Sequence, residues 1–267
     1  MPKTPSRPGL AVAVSHAHDA SRSSVRGPLI AVVAAALLVA LGLGQLSLRR
    51  LEAFADPITF WEDAVARQPD DAIGHNGWGY AFYQAGRAQE ALEHLQEAVR
   101  LRPEYVDAYT NWGNVLLKLG RHDEAIAQYE RALEVNPNQS NALTNMGAAH
   151  LMRGRPQQAA GPLRRAVEAQ PNLFEARCNF GAFLLASGQP REAIEQFQQA
   201  TRIKPVSIEA WANLGTAYAD VRQWDEALAA AQRGLQLARS QGSAAMVRSM
   251  EARIALYQQS MSAGPGS

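Results

Sequence analysis

The sequence contains a single cysteine, Cys178, and very little lysine. A lone cysteine excludes an internal disulfide bond and the usual cysteine-based zinc sites. Lysine occurs only at Lys3, Lys118 and Lys204, whereas arginine and alanine are abundant, a bias that suggests a GC-rich bacterial genome. The formal net charge is only +1 at pH 7. Because nucleic-acid-binding surfaces are usually strongly basic, we expect no nucleic-acid partner.

Residues that carry chemistry are also scarce. The pair His16 and His18 lacks a third metal ligand nearby, and Cys178 has no basic neighbour in the sequence to activate its thiol. Four further histidines follow no metal-ligand pattern: His75, His94, His122 and His150. There is no glycine-rich phosphate loop. We therefore predict that the protein is not an enzyme, with no catalytic residue, metal site, cofactor or small-molecule substrate.

What the sequence does contain is a 34-residue period, repeated five times without a gap. The copies are 72–105, 106–139, 140–173, 174–207 and 208–241. Position 8 is glycine in every copy: Gly79, Gly113, Gly147, Gly181 and Gly215. Position 20 is alanine in every copy: Ala91, Ala125, Ala159, Ala193 and Ala227. So regular a period indicates a repeat architecture.

Each copy predicts two short α-helices. Apolar residues recur at helical spacing, and in the first four copies a glycine between the two halves suits a turn with a positive φ angle. A proline at position 32 of the same four copies closes the second helix. A helical hairpin of this size cannot bury its own apolar face, so the copies must stack on one another. We predict an all-α solenoid.

The period and the residue pattern resemble those of the tetratricopeptide repeat (TPR) family. The resemblance implies a right-handed superhelix of helical hairpins, in which the first helices of successive copies line a concave groove. Two departures from the pattern are expected to matter. Gly161-Pro162 falls inside the second helix of the third copy, where a proline should bend the helix. The fifth copy has Arg222 at its turn and Arg239 at position 32, so its second helix is expected to run on.

The N-terminal part predicts a membrane anchor. Residues 1–27 predict a disordered tail, and residues 29–48 contain no charged side chain. Twenty helical residues span about 30 Å, the thickness of a bilayer core, so we predict a transmembrane helix at 28–48. A cleaved signal peptide is the alternative, because Ala53-Phe54-Ala55 resembles a cleavage site. Arg49 and Arg50 separate that triplet from the apolar run and favour an uncleaved anchor.

The flanking charges predict an orientation. The tail carries four basic residues against two on the other side: Lys3, Arg7, Arg22 and Arg26 against Arg49 and Arg50. Basic residues favour the cytoplasmic side. We therefore predict a single-pass protein of the bacterial inner membrane, with a cytoplasmic N-terminus and the repeats in the periplasm.

Partial units flank the five copies. Residues 49–71 predict a linker and a half-repeat capping helix, because Trp61, Ala64 and Pro69 occupy positions 24, 27 and 32 of the pattern. Residues 242–267 predict a C-terminal capping helix and a frayed tail. The junction "FWEDAVARQP" before the repeats resembles that of transmembrane-and-TPR glycosyltransferases, whose many-spanning catalytic part is absent here. This resemblance supports the predicted orientation and implies no activity.

Candidate binding residues lie at position 6 of the copies. After Gly77 this position is asparagine four times: Asn111, Asn145, Asn179 and Asn213. An asparagine ladder can hydrogen-bond the backbone of an extended peptide. The repeats of O-linked N-acetylglucosamine transferase have a similar ladder, which implies peptide binding here. The alternative is that these asparagines only pack neighbouring helices.

Other groove positions extend this candidate site. Asn76 and Asn114 lie at positions 5 and 9, and Tyr80, Tyr83 and Lys118 predict an aromatic and cationic end. Position 2 is Ile73, Asp107, Asn141, Glu175 and Glu209, so the basic clamp of chaperone-binding TPR proteins is absent.

The features together predict a membrane-anchored TPR scaffold that binds a protein or peptide partner in its concave groove. One alternative is a non-catalytic accessory subunit of a cell-envelope glycosylation or secretion and assembly system. A weaker alternative is the remnant of a TPR-containing glycosyltransferase.

Overall fold

The computed structural model describes residues 56–262, and the compact unit that carries the repeats begins at Trp61. The predicted tail, the predicted transmembrane helix at 28–48 and the last five residues lie outside the described part. Residues 56–262 form twelve α-helices and no strand. Within this range, no helix has both the length and the apolar character needed to span a bilayer.

The helices follow the period of the sequence. A single helix, α1 (Pro57–Arg67), precedes the five copies. The first helices of the copies are α2 (Ala72–Gln84), α4 (Val106–Lys118), α6 (Ser140–Met152), α8 (Phe174–Ala186) and α10 (Ile208–Asp220). The second helices are α3 (Ala88–Leu101), α5 (His122–Val135), α7 (Pro156–Ala169), α9 (Pro190–Ile203) and α11 (Trp224–Ser240). A final helix, α12 (Ala244–Ser262), follows them.

The two helices of each hairpin are joined by the same turn. In the first copy the N–H of Arg87 donates to the carbonyl of Phe82 at 2.9 Å, and the equivalent bond recurs in the other four. This bond closes a helix over a residue with positive φ, which favours glycine. The first four copies use glycine there, whereas the fifth uses Arg222 with φ 61°. Among residues 56–262, Arg222 is the one non-glycine residue with positive φ.

Close packing inside each hairpin depends on position 8. A Cβ atom added to Gly113 would lie 2.4 Å from the ring of Tyr129, and one added to Gly147 would lie 2.5 Å from Leu163. Tyr129 and Leu163 are both position 24 of their copies and are fully buried. The fifth copy differs because position 24 is Ala231, and the atom nearest to a Cβ on Gly215 would be the Ala227 carbonyl oxygen, at 3.2 Å. Position 8 is therefore glycine so that a large side chain from the second helix can lie directly on the first helix.

The half-repeat helix α1 makes a different contact. Its Trp61 occupies position 24 of the pattern. Its ring lies against Gly77 of α2, where an added Cβ would come within 2.3 Å of the indole. Gly77 is the position-6 residue of the first copy, where the later copies have asparagine. The Trp61 ring lies where the side chain of such an asparagine would begin.

At the other end of the stack the helices depart from the period. The second helix of the fifth copy, α11, has 17 residues, whereas α9 has 14, in keeping with the missing proline at position 32. Helix α12 packs against both α11 and α10 and buries Met250 and Tyr257. It covers the apolar end of the stack.

Helix α7 continues without interruption through Pro162. A proline in a helix interior lacks the N–H that would bond to the carbonyl four residues earlier. We expect Pro162→Ala to restore that bond and raise the free energy of unfolding by about 2 kcal/mol. Pro156→Ala in the same helix is the control, because Pro156 lies at the first helical position, where no N–H is needed, and its replacement should be neutral or slightly destabilising. Urea unfolding followed by circular dichroism measures both, and a stability loss for Pro162→Ala contradicts the prediction.

Candidate functional site

The concave face of the stack is built by the first helices of the copies. Helices α2, α4, α6, α8 and α10 contact one another in sequence, whereas no second helix of the described residues reaches the next second helix. The stack is therefore tighter on the side of the first helices, and that side is the inside of the curve. The residues of these helices that line the two pockets described next occupy positions 2, 5, 6, 9, 12 and 13.

A pocket of about 840 Å³ opens on the concave face of the first four copies. Six of the predicted groove residues line it: Asn76, Tyr80, Tyr83, Asn111, Asn114 and Asn145. The remaining wall is Trp61, Gly77, Asp107, Thr110, Gln139, Asn141, Thr144 and Glu175. The larger pocket is thus polar, with aromatic rings at its N-terminal end.

A smaller pocket of about 360 Å³ adjoins the first and shares Tyr83, Asn114 and Asn145 with it. Its other residues are Leu117, Lys118 and Met152. The Met152 side chain is 64% exposed, and that of Tyr80 is 47% exposed. Exposed apolar side chains beside an open pocket are typical of surfaces that bind a partner.

Four of the predicted asparagines belong to hydrogen-bonded pairs that link successive copies. The Asn111 amide donates to Oδ1 of Asn76 at 2.9 Å, and Asn76 donates to the Tyr105 hydroxyl at 3.4 Å. One copy further on, the Asn145 amide donates to Oδ1 of Asn114 at 2.7 Å. Asn111 and Asn145, both at position 6, are therefore each oriented by an asparagine of the preceding copy.

Oδ1 of Asn114 accepts a second bond, from the Tyr129 hydroxyl at 2.8 Å. Burial raises the pKa of Tyr129, so its phenol stays protonated and continues to donate. The position-24 ring that packs on Gly113 therefore also holds a groove amide in place, and this link joins the core of the second copy to the site.

The ladder stops after the third copy. Asn179 and Asn213 line neither pocket, and within residues 56–262 neither side chain makes a hydrogen bond. The preceding copies supply no asparagine there: positions 5 and 9 are Thr144 and Ala148 before Asn179, and Cys178 and Ala182 before Asn213. The structure thus brings seven of the nine predicted groove residues together and leaves these two apart.

Helix α12 partly closes the C-terminal end of the groove. Its Arg253 donates to the hydroxyl of Thr216 and to the carbonyl oxygen of Ala212, at 3.5 Å for the latter. Thr216 and Ala212 are positions 9 and 5 of the fifth copy, the same positions that carry Asn114 and Asn76 earlier in the chain. The open part of the groove is therefore its N-terminal half.

The two pockets differ in charge. The larger one is lined by two carboxylates, Asp107 and Glu175, and by no lysine or arginine. Arg177 lies on α8 but is turned away, since its guanidinium donates to the carbonyl of Pro171 and to Gln196. Lys118 lines the smaller pocket, where its Nζ lies 4.9 Å from the Tyr83 ring centroid. The carboxylates therefore line one of these two pockets, and their one lysine lines the other.

The lone cysteine is a poor nucleophile. Cys178 is buried, and burial together with Glu209 and Glu175 raises the pKa of its thiol to about 12. A thiol reacts as its thiolate, so Cys178 stays protonated and unreactive near neutral pH.

Two of the histidines form a pair that sequence reasoning did not predict. The Nδ1 atoms of His75 and His94 lie 3.2 Å apart, and Nε2 of His75 lies 3.0 Å from the carbonyl of Pro69. A carbonyl only accepts, so His75 donates from Nε2 and accepts from His94 at Nδ1. Burial and the neighbouring His75 lower the pKa of His94. The described residues contain no group of three metal-ligating side chains, and the pair packs the first hairpin.

The sequence alone did not identify several wall residues. Trp61 was assigned to a capping helix, and Asp107, Asn141 and Glu175 were considered only as evidence against a basic clamp. Leu117 and Met152 were not among the predicted residues. Their shared position near the end of the first helix, positions 12 and 13, was the available signal.

Comparisons with known proteins agree with this architecture. Family models described as Tetratricopeptide repeat match residues 104–172 and 184–254, and one described as TPR repeat matches residues 79–120. Together these matches extend over more than half of the chain. No curated protein sequence matches it significantly.

Solved structures show the same fold. The chain is 25% identical to YrrB, described as a TPR protein with an unusual peptide-binding site, over 72% of this chain and 97% of YrrB, with a TM-score of 0.55. It is 21% identical to MamA over 65% of this chain and 94% of MamA, with a TM-score of 0.54. It is 23% identical to a chain of the APC/C hetero-tetramer Cut9–Hcn1 over 76% of this chain and 39% of that one, with a TM-score of 0.64. The last two likenesses concern the fold alone.

Proposed function

Because this chain belongs to the tetratricopeptide-repeat proteins, we propose that it is a non-catalytic scaffold that binds an extended segment of a protein partner in the N-terminal half of its groove. The observation that carries the proposal is the asparagine network of the first three copies. It lies in the open part of the groove and at the floor of the larger pocket.

The network leaves hydrogen-bonding capacity directed to a ligand. An asparagine side chain offers two N–H donors and one carbonyl acceptor with two lone pairs. Within the described residues, Asn111 and Asn145 each use one donor, so each keeps an acceptor and a second donor. A peptide backbone offers the matching N–H and C=O groups at every residue. An amide held in one orientation loses little entropy on binding, which favours affinity.

The likeness to YrrB supports the same function. That protein is described as having a peptide-binding site, and its chain aligns with this one over nearly its whole length. Peptide binding in the groove of the present chain is consistent with this likeness and with the exposed side chains of Tyr80 and Met152.

We further propose that residues 28–48 anchor the scaffold in the bacterial inner membrane and that the repeats face the periplasm. The uncharged run at 29–48 and the excess of basic residues before it support this proposal. A role as accessory subunit of an envelope glycosylation or secretion system is a narrower prediction, and co-purification with a many-spanning membrane transferase would support it.

A matched pair of variants tests the groove. We expect the full chain, purified in nonionic detergent, to capture a partner from envelope extracts. Asn111→Ala with Asn145→Ala should weaken that capture at least about tenfold, since each lost hydrogen bond is worth about 1 kcal/mol. The control, Asn179→Ala with Asn213→Ala, removes the same groups outside the two pockets and should retain the partner. Equal capture by both variants would place the binding surface elsewhere on the molecule.

A further inference from the structure

We propose that the groove selects an extended segment in which basic and apolar side chains alternate. This inference rests on the proposed function and adds the chemistry of the partner to it. It follows from the different character of the two rims of the groove, which run on either side of the asparagine network.

One rim is acidic. Asp107 and Glu175 are the second residues of α4 and α8, and both are exposed and line the larger pocket. Asn141, the equivalent residue of the copy between them, is exposed and uncharged. Because no lysine or arginine lines this pocket, the two carboxylates are not balanced from within it. A ligand with lysine or arginine on this side would supply the missing positive charge.

The opposite rim is apolar. Tyr83, Leu117 and Met152 lie near the ends of α2, α4 and α6, and they line the smaller pocket. Met152 is among the most exposed apolar side chains of the described residues. From position 2 to position 12 of a helix the rise is about 15 Å, so the two rims lie on opposite sides of a groove wide enough for an extended chain.

The backbone of such a chain would lie between the rims, at Asn111 and Asn145. In an extended chain successive side chains point to opposite sides. A segment that follows the groove therefore sends alternate side chains to the acidic rim and to the apolar rim. An alternating basic and apolar sequence satisfies both rims at once, whereas a uniformly basic or uniformly apolar sequence satisfies only one.

Lys118 increases the preference of basic ligand side chains for the acidic rim. Its Nζ lies over the ring of Tyr83 and 3.5 Å from the Tyr83 carbonyl oxygen, which holds the charge on the apolar rim. A basic side chain of the ligand is repelled there and attracted by Asp107 and Glu175 on the other side. The charges thus fix which face of the segment meets which rim.

Labelled synthetic peptides test the inference. One is an eight-residue peptide alternating lysine and leucine, the second alternates glutamate and leucine, and the third has four lysines followed by four leucines. Fluorescence anisotropy with the full chain in nonionic detergent measures their affinities. We expect the alternating lysine peptide to bind about tenfold more tightly than each of the other two. Equal affinity for the first two, or binding of neither, overturns the inference.

Charge-reversed variants give the control. Asp107→Lys with Glu175→Lys should weaken binding of the lysine peptide about tenfold and favour the glutamate peptide. Glu130→Lys with Glu168→Lys makes the same change in net charge on the second helices α5 and α7, and should alter affinity by less than about twofold. Equal effects of the two variants would show non-specific attraction and overturn the inference. A natural partner lost from the Asn111 and Asn145 variant but kept by the Asp107 and Glu175 variant would uphold groove binding and reject this selectivity.

Discussion

Gly113→Ala is expected to lower the free energy of unfolding of the repeats by about 3 kcal/mol, whereas Gly215→Ala should change it by less than about 1 kcal/mol. Both substitutions add one methyl group at position 8 of a first helix, and both gain the same helix propensity. They differ in what the new methyl group meets: the Tyr129 ring in the second copy, and the Ala227 carbonyl oxygen in the fifth.

The Tyr129 ring cannot move aside without disturbing its neighbours. Its side chain is fully buried, and its hydroxyl donates to Asn114 at the groove. A methyl group that pushes the ring away from Gly113 therefore costs packing and also strains the bond that orients Asn114. The Gly113→Ala protein should lose partner binding before it loses all its helical structure.

Urea unfolding monitored by circular dichroism compares the two variants at equal protein concentration. A loss for Gly215→Ala as large as that for Gly113→Ala would show that position 8 needs glycine for a reason other than the size of the position-24 side chain. Stack unfolding need not be two-state, so the midpoint and the slope of each curve are both compared.

The second large effect is expected at the N-terminal end. Gly77→Asn introduces at position 6 of the first copy the residue that every later copy has. Because a Cβ at Gly77 would lie 2.3 Å from the Trp61 ring, we expect a loss of about 3 kcal/mol in the free energy of unfolding. A residue type that suits four copies should thus destabilise the first.

A double-mutant cycle isolates the cause. Trp61→Ala alone removes packing against α2 and also destabilises the protein. When Gly77→Asn is combined with Trp61→Ala, the clash is absent, so the combined loss should be smaller than the sum of the two single losses by about 2 kcal/mol. Strict additivity in urea unfolding would show that Trp61 does not limit the side chain at Gly77.

Much of the fold follows from the 34-residue period, because that period sets helix length, turn position and the need to stack. The close approach at position 8 was also predictable from its glycines. The partner of each glycine was not, since the match between positions 8 and 24 depends on how the two helices of a hairpin are rotated. The contact of Trp61 with Gly77 could not be predicted for the same reason, because it depends on how α1 is rotated against α2.

The candidate site was predicted in part. The asparagines of position 6 were visible as a repeated residue, and the structure orients Asn111 and Asn145 through Asn76 and Asn114. Asn179 and Asn213 looked equivalent, but the copies before them lack the partner amide. The two rims were harder to recognise, because the residue types at positions 2, 12 and 13 change from copy to copy and only their positions repeat.

The arginine at the turn of the fifth hairpin has a consequence for how the molecule moves. A left-handed backbone costs a non-glycine residue about 1 kcal/mol, and Arg222 bears this cost where the first four copies do not. In a stack held by neighbour contacts alone, opening begins at an end and at the weakest unit. The C-terminal copy can therefore unfold locally while the asparagine network, two copies away, keeps its geometry. We therefore expect local unfolding to concentrate in the fifth copy and partner binding in the first three.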